Sequence, residues 1–272
     1  MIITELDNLN APAAALYNDR SETKLYRYYE PEPGLFIAET PIVINRALAA
    51  GYEPVSVLGE AKTIKCNDSL MQSLPEDIPV YVCSDKVFTD IAGHELTKGL
   101  MCAMRRKRNK NAEEVCMDAK RIVLLEEVQN PTNTGAIFRA AAALGMDAVM
   151  LTKGCSDPLY RRASRVSMGN VFCIPWGYFS DNLSPAGRIE WLKSQGFYCA
   201  AMALDEKAVP LGSRDFSKHE RLAVIMGNES SGLKEETINA CDATVMIPMH
   251  KGVDSLNVAA AAAVAFWEMR KK

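Results

Sequence analysis

The sequence has little histidine, no closely paired cysteines and no long apolar run. No stretch approaches 18 uncharged apolar residues, and Met1–Asn10 carries Glu5 and Asp7 in place of a positive region before an apolar segment. We therefore expect neither a membrane span nor an export signal. The 3 histidines and 8 scattered cysteines include no CxxC pair, which disfavours a metal site and a disulfide framework. Buried, reduced thiols in a cytoplasmic protein are the expectation.

An excess of charge of one sign is also lacking. The 272 residues include 31 Lys and Arg against 34 Asp and Glu, for a net charge of −3. This balance argues against wholesale electrostatic binding to nucleic acid or to an anionic membrane. Residues 1–120 have a net charge of −4, from 14 basic and 18 acidic residues, and residues 121–272 have +1, from 17 and 16. Any recognition of nucleic acid must therefore depend on local patches.

A polar, basic run at residues 105–119 divides a chain whose composition, 48% hydrophobic and 24% charged, is that of a packed protein. The run predicts a linker or an exposed helix end. Before it, apolar runs alternate with helical patterns, which predicts a small α/β domain over residues 23–104. Residues 1–22 are interpreted as an arm or a leading helix. The predicted strands are Gly34–Glu39, Val55–Leu58 and Val80–Cys83, and the predicted helices are Pro41–Ala50 and Asp85–Ile91.

Residues 120–272 show a clearer alternation of short apolar runs and helical patterns. Runs of this kind are typical of strands buried on both faces of a parallel sheet. The segment predicts a doubly wound α/β domain with its ligands outside the carboxyl ends of the strands. The predicted strands are Arg121–Val128, Ala148–Leu151, Val171–Ile174, Tyr198–Ala203, Leu222–Met226 and Thr244–Ile247, and the predicted helices are Thr134–Leu144, Pro158–Met168, Pro185–Gln195, Leu233–Asn239 and Leu256–Met269.

The loop at residues 129–139 combines features of an anion site. Gly135 near a helix N-terminus, with Arg139 one turn further on, would suit an anion or a nucleotide phosphate. A capped helix start with a solvated arginine is the alternative. Neither GxGxxG nor GxxxxGK[ST] occurs in the chain, so an ordinary Rossmann dehydrogenase and a P-loop protein are disfavoured.

Two further loops carry polar residues that a simple turn does not require. In residues 225–233 two glycines bracket Glu229; Gly227 would let the backbone approach a ligand, and Glu229 would grip a ligand or pin the loop. In residues 247–258 Ser255 is a natural N-cap for an alanine-rich helix. A plain turn and a generic capped helix are the respective alternatives.

Taken in order, the three loops resemble motifs 1, 2 and 3 of the SpoU (TrmH-like) branch of the SPOUT RNA methyltransferases. The motifs read NTGAIFRAAAALG, IMGNESSGL and IPM…G…SLNVAAAAAV, and the resemblance covers roughly residues 120–270. Residues 35–58 resemble, more loosely, the ribosomal-protein-like RNA-binding domain of many members. The resemblance implies a parallel-sheet α/β domain with a deep trefoil knot, a homodimer, S-adenosylmethionine as cofactor and methyl transfer to a ribose 2′-hydroxyl of RNA.

The resemblance also assigns residues to roles. The residues that match its catalytic positions are Arg139, Asn133, Glu229, Ser255 and Asn257, and those that match its cofactor positions are Ala203, Leu204, Gly227, Ile247 and Leu256. The family often reads SLNVS, whereas this chain has Ala259 after Val258, so any role of that second serine is absent or filled elsewhere.

RNA contact requires cations, and two groups are candidates. Arg161 and Arg165 are spaced to share one face of a predicted helix, and Arg105 and Arg106 lie in the basic run between the domains. A solvated helix face and a solvated linker are the alternatives.

The substrate and the chemistry are left with alternatives. The extra N-terminal domain favours rRNA over tRNA, by analogy alone. The SLN sequence favours ribose over base methylation, which other SPOUT branches perform. A non-catalytic RNA-binding protein with the same fold is the third interpretation. The intact residues that disfavour it are Arg139, Glu229, Ser255 and Asn257. Because a guanidinium is a reluctant proton acceptor, we favour orientation or charge stabilisation by Arg139 over the family-derived general base.

Overall fold

The structure is a computed structural model that describes residues 2–8, 11, 13–18, 22–29, 32–93, 99–205, 207–252 and 254–271. The strands in these ranges are β1 Ile2–Leu6, β2 Leu35–Glu39, β3 Pro54–Glu60, β4 Pro79–Cys83, β5 Leu100–Arg105, β6 Lys110–Asn111, β7 Arg121–Leu125, β8 Ala148–Leu151, β9 Trp176–Tyr178, β10 Tyr198–Met202, β11 Val209–Pro210, β12 Leu222–Met226 and β13 Ala243–Met246. The helices are α1 Glu22–Tyr26, α2 Pro41–Ala49, α3 Ala61–Lys65, α4 Asp68–Gln72, α5 Asp85–Ala92, α6 Ala112–Cys116, α7 Pro131–Ala143, α8 Arg161–Val166, α9 Pro185–Ser194, α10 Glu235–Ala240 and α11 Val258–Met269.

The chain forms two compact units, and each unit consists of two separate stretches of the sequence. The N-terminal unit comprises residues 1–108 and 159–172, and the C-terminal unit comprises residues 109–158 and 173–272. The division between Arg108 and Asn109 falls inside the run for which the sequence predicts a linker, residues 105–119. Beyond it, β6 pairs with β9 and α6 begins with a capping box between Asn111 and Glu114, so this stretch is ordered.

A mixed five-stranded sheet forms the N-terminal unit, in the order β1-β4-β3-β5-β2. β5 runs antiparallel to β2 and β3, while β1, β4 and β3 are parallel. Residues 2–6 differ from the expected arm or helix, because they pair along β4 as an edge strand from Ile2 opposite Pro79 to Leu6 opposite Cys83. The β-branched residues of this segment favour an extended backbone.

The segment at residues 159–172 packs in the N-terminal unit, which the sequence did not predict. Its helix, α8, is shorter than the predicted Pro158–Met168. The predicted strand Val171–Ile174 is wrong, since Asn170–Phe172 is a 3₁₀ turn and the strand is β9. The ring of Phe172 lies 5.7 Å from that of Phe36 and 5.2 Å from that of Tyr52. This apolar residue, which suggested a strand, therefore packs against aromatic rings from a 3₁₀ turn.

In the C-terminal unit the described strands form one parallel sheet in the order β11-β13-β10-β12-β7-β8-β9-β6. The other five strands predicted here are confirmed, with boundaries shifted by a few residues. All side chains of β7, β8 and β12 are buried, as expected for strands covered on both faces. Helices α7 and α11 pack against each other beside this sheet. Within the described ranges, no helix has the length and apolar character needed to cross a membrane.

The cysteines differ partly from the expected buried thiols. None of the eight is in a disulfide, but Cys66 and Cys173 are exposed. Burial raises the pKa of Cys83 and Cys116 to about 11 and that of Cys241 to about 12, so these thiols stay protonated at neutral pH.

A buried carboxylate holds α8 in the N-terminal unit. Glu39, at the end of β2, is fully buried, and it accepts from Arg161 Nε at 2.6 Å and from Arg165 Nη1 at 2.5 Å. The side chains of Arg161 and Arg165 are 22% and 29% exposed to solvent. A charge buried this completely is tolerated only because both guanidinium groups compensate it.

We expect Glu39→Gln to lower the free energy of unfolding of the N-terminal unit by about 3 kcal/mol, because two half-buried cations lose their counter-charge. Urea unfolding followed by circular dichroism measures this change. The control is Glu53→Gln, since Glu53 is exposed and lies 3.8 Å from Arg105; we expect a change below about 0.5 kcal/mol. Equal effects of the two substitutions would contradict the assignment.

Candidate active site

The loops that follow the central parallel strands of the C-terminal unit surround a cavity of about 1090 Å³. The strand ends at this edge are those of β7, β10, β12 and β13, which agrees with the expected position outside the carboxyl ends. Every residue that the sequence predicts for the cofactor lines this cavity: Ala203, Leu204, Gly227, Ile247 and Leu256. Their role as cofactor ligands stays a prediction.

A chain of side-chain hydrogen bonds joins the three motif loops. Asn133 Nδ2 donates to Glu229 Oε1 at 2.9 Å, and Asn257 Nδ2 donates to Asn133 Oδ1 at 3.0 Å. Glu229 also accepts from the backbone N–H of Asn130 at 3.0 Å and of Gln129 at 3.3 Å. The structure thus brings three of the five predicted catalytic residues into one network, although they are up to 124 positions apart in the sequence.

Glu229 also explains the anion site predicted for the first loop. Helix α7 begins at Pro131, with Asn130 as its N-cap, and the Glu229 carboxylate occupies the N–H groups just before this start. The protein therefore supplies its own anion at this helix N-terminus.

Burial and hydrogen bonding act in opposite directions on this carboxyl group. Partial burial raises the pKa of Glu229, and the bonds from Asn133, Asn130 and Gln129 lower it; the net result is a pKa below the ordinary value. Glu229 is therefore an ionised acceptor at neutral pH. It is suited to hold the loops together and unsuited to act as a proton donor.

Gly227 is required for a reason other than the one expected from sequence. A Cβ at this position would lie 2.4 Å from the carbonyl carbon of Gly232 and 2.5 Å from the nitrogen of Leu233. The close approach is thus to the loop's own backbone, where Asn228 and Gly232 also exchange hydrogen bonds. Gly227 also lines the cavity, so the approach of its backbone to a ligand stays a prediction.

The N-cap of α11 is Asn257, not Ser255 as the sequence analysis expects. Asn257 Oδ1 accepts from the backbone N–H of Ala259 at 3.0 Å, and the helix begins at Val258. Ser255 lies ahead of the helix, exposed and in the cavity lining. Asn257 therefore both caps α11 and completes the network to Asn133.

Arg139 stands apart from the other predicted catalytic residues. It is exposed on α7, and its guanidinium has no hydrogen bond or ion pair within the described part of the chain. It follows Asn133 by six positions, which is about 9 Å along a helix and about 120° away around it. Accordingly, Arg139 is not among the described residues that line the cavity.

The four arginines predicted for RNA contact all lie in the N-terminal unit. Arg161 and Arg165 hold Glu39, as described above. Arg106 is buried, donates to the Leu35 carbonyl at 3.1 Å and lies 4.7 Å from the ring centre of Tyr26. Arg105 is the exposed member of the set. An RNA role for these residues stays a prediction, and three of the four already have a structural task.

Sequence reasoning missed Glu126, which follows β7 directly. Its buried carboxylate accepts from Lys234 N at 2.8 Å and from Thr237 Oγ1 at 2.6 Å, so it anchors the start of α10 behind the second motif loop. The available signal was an acidic residue at the end of an apolar run. Among the described residues, no three His, Cys, Asp or Glu side chains cluster in a way that could hold a metal ion.

Solved structures establish the class of this fold. The AdoMet-bound rRNA methyltransferase of Sinorhizobium meliloti superposes with a TM-score of 0.79 at 23% identity, covering 98% of this chain and 97% of that one. The chain therefore shares the α/β fold of that structure, with a parallel sheet and a small α/β domain before it.

The family follows from sequence. The profile of the SpoU rRNA Methylase family matches residues 120–267, and the chain belongs to this family. It is 37% identical to an uncharacterized tRNA/rRNA methyltransferase of Mycobacterium tuberculosis over 86% of this chain and 80% of that protein. It is also similar to the 23S rRNA (guanosine-2′-O-)-methyltransferase RlmB of Acinetobacter baylyi, at 32% identity over 71% of this chain and 79% of that protein.

Glu229→Gln should make the thermal stability of the C-terminal unit vary less with pH in the acidic range. A lowered pKa means that the folded state favours the carboxylate, so its contribution is present above the ordinary value of about 4.3 and is lost as pH falls through the lowered value. We expect the variant to melt below the parent at pH 7 and the difference to shrink below about pH 4. Thermal melting across this range measures it.

The matched control is Glu190→Gln, because Glu190 is exposed on α9. Its melting difference from the parent should be small at every pH. A Glu229→Gln difference that is constant with pH would contradict the ionised network.

Proposed function

We propose that the chain is an S-adenosylmethionine-dependent RNA methyltransferase that methylates a ribose 2′-hydroxyl of rRNA in the cytoplasm. The observation that carries the proposal is the Glu229–Asn133–Asn257 network, which joins the three motif loops at the edge of one cavity. Membership of the SpoU rRNA Methylase family supports RNA methylation. The 23S rRNA (guanosine-2′-O-)-methyltransferase activity of the Acinetobacter baylyi relative supports a 2′-hydroxyl of rRNA over a base and over tRNA.

The cavity has a composition that suits this cofactor. Apolar side chains such as Met226 and Val245 line one part of it, and Glu229 and Asp254 contribute carboxylates. S-adenosylmethionine combines cationic sulfonium and ammonium groups with a carboxylate, a polar ribose and a flat adenine ring, and a lining of apolar and polar groups suits this mixture. In this proposal Ala203, Leu204, Gly227, Ile247 and Leu256 hold the cofactor. When bound, it supplies an electrophilic methyl group.

Asn133, Glu229 and Asn257 act in this proposal as positioning residues. The hydrogen bonds above engage Asn133 and Asn257 through both polar side-chain atoms and Glu229 through both oxygens. In this proposal Ser255, which is exposed in the cavity lining, hydrogen-bonds the ribose of the substrate. Rigid positioning for an in-line approach can account for roughly 7–11 kcal/mol of the barrier.

Arg139 orients the substrate or stabilises the developing alkoxide. Its guanidinium keeps its proton at neutral pH, so charge stabilisation is more favourable than proton acceptance. Since Arg139 does not line the cavity formed by the described residues, its contribution is separate from cofactor binding.

The proposal includes a homodimer and a deep trefoil knot at the C-terminus. Exposed Val264 and Trp267 on α11 support the dimer, because large apolar side chains on one helix are often covered by a second copy. The family resemblance of the motif loops supports the knot.

The decisive experiment is transfer of a labelled methyl group from S-adenosylmethionine to purified rRNA and tRNA, followed by nucleoside mapping. We expect labelled 2′-O-methylnucleoside from rRNA and little label in tRNA. Label on a base would favour a base-methylating enzyme instead. Calorimetric binding of the cofactor without any transfer would favour a non-catalytic RNA-binding protein.

We expect Arg139→Ala to reduce kcat by about 10²–10³-fold, as loss of one charge-stabilising donor does in other enzymes. The Kd for S-adenosylmethionine, measured by calorimetry, should stay unchanged because Arg139 is outside the cavity lining. Arg214→Ala, at another exposed arginine of the C-terminal unit, is the control and should retain kcat. Equal losses of kcat and of cofactor affinity would contradict the assignment.

A further inference from the structure

Three consecutive basic residues at the end of β5 each lie over a tyrosine ring. Arg105 lies 4.8 Å from the ring centre of Tyr29, Arg106 4.7 Å from that of Tyr26, and Lys107 4.8 Å from that of Tyr52. Tyr28 and Tyr29 also meet edge to face at 4.8 Å. Each arrangement is of a kind that stabilises an aromatic ring at a surface.

The backbone that carries these rings is firmly held. Leu25 is buried in the core of the N-terminal unit. Gly34 packs so closely that a Cβ there would lie 2.0 Å from the carbonyl oxygen of Tyr26, and Arg106 N donates to the Gly34 carbonyl at 2.8 Å. The rings are therefore presented by a preorganised backbone, which lowers the entropic cost of binding.

Two of the rings are open to solvent. Tyr26 and Tyr28 are 44% and 39% exposed. Buried Arg106 lies over one face of the Tyr26 ring, so a base would have to stack on the opposite face. In that arrangement the cation would lie behind the ring.

The two segments that carry the rings and their cations are basic, although residues 1–120 are acidic on balance and Glu22, Glu30 and Glu32 flank the tyrosines in sequence. Residues 24–29 and 105–108 contain six basic and no acidic residues: Lys24, Arg27, Arg105, Arg106, Lys107 and Arg108. Exposed Glu53 lies 3.8 Å from Arg105, a separation at which an exposed pair is weak. We call Tyr26, Arg27, Tyr28, Tyr29 and Arg105 the tyrosine–arginine patch.

We infer that the tyrosine–arginine patch binds unpaired nucleotides of the RNA substrate by stacking bases on Tyr26 and Tyr28, with the arginines close to the phosphates. The inference rests on the proposed function, since it names the part of the substrate that the N-terminal unit recognises. Aromatic rings beside cations match a single strand, whose bases have open faces, better than a duplex, whose bases are stacked inside. An acidic peptide would use the cations and leave the rings without a role.

The test compares full-length variants for binding of a fluorescent single-stranded RNA of about 12 nucleotides and of the same sequence annealed into a duplex. We expect the parent to prefer the single strand. The double substitution Tyr26→Leu and Tyr28→Leu should weaken single-strand binding about tenfold or more, measured by fluorescence anisotropy. The matched pair Tyr26→Phe and Tyr28→Phe keeps the rings and should bind within about twofold of the parent.

Charge is tested separately. Arg27→Ala should weaken binding of both probes and reduce its salt dependence. Lys62→Ala removes an equally exposed charge from α3, outside the patch, and should change neither. If the double leucine variant melts below the parent, Tyr28→Leu alone replaces it, because Tyr28 is exposed and follows α1.

The inference is overturned if the leucine variants bind the single strand as the parent does, or if duplex binding falls equally. Methyl transfer separates this failure from that of the proposed function. A parent that methylates rRNA, with leucine variants unchanged in KM and in single-strand binding, overturns the patch alone. A parent that transfers no methyl group overturns the proposed function. A parent that binds neither probe overturns the patch whether or not it transfers methyl.

Discussion

The hydrogen bonds that the Glu229 carboxylate accepts are the constraint on which the candidate site depends. One oxygen binds Asn133 and the backbone of Asn130, and the other binds the backbone of Gln129, so the second motif loop is fixed to the start of α7. Asn133 then binds Asn257, which caps α11. The carboxylate also places a negative charge at the N-terminus of α7 and accepts from the backbone N–H of its N-cap, Asn130. These hydrogen bonds hold the three motif loops together along one side of the cavity.

The parallel sheet makes this meeting possible, and this part was predictable from sequence. Buried apolar runs predict parallel strands, and parallel strands place their following loops at one edge. The partners within that edge were not predictable, because β7 and β12 are neighbours in the sheet although about 100 residues separate them. Unless the strand order is known, the sequence does not indicate which residue is the hydrogen-bond partner of Glu229. The N-cap was also misassigned, since Ser255 and Asn257 are both good caps and only the backbone selects between them.

For two of the arginines the sequence pattern predicts the wrong kind of neighbour. Arg161 and Arg165 have the spacing of a charged helix face, which predicts solvent or RNA as their neighbour. In the structure their partner is Glu39, a carboxylate that ends an apolar strand 122 residues before Arg161. A single acidic residue in the run LFIAE was a signal that a buried charge needed compensation. The partners could not be inferred from the local pattern, because residues 159–172 pack in the N-terminal unit although the residues on both sides of them in sequence belong to the C-terminal unit.

The distribution of cations has a consequence for RNA recognition. Arg106, Arg161 and Arg165 are engaged within the N-terminal unit, so these three cations are less available to RNA phosphates. They add little to binding that depends on charge, because an engaged cation releases few counterions from RNA. Aromatic stacking does not depend on salt in this way. The exposed tyrosines of the N-terminal unit therefore favour recognition of unpaired bases in addition to the phosphate backbone.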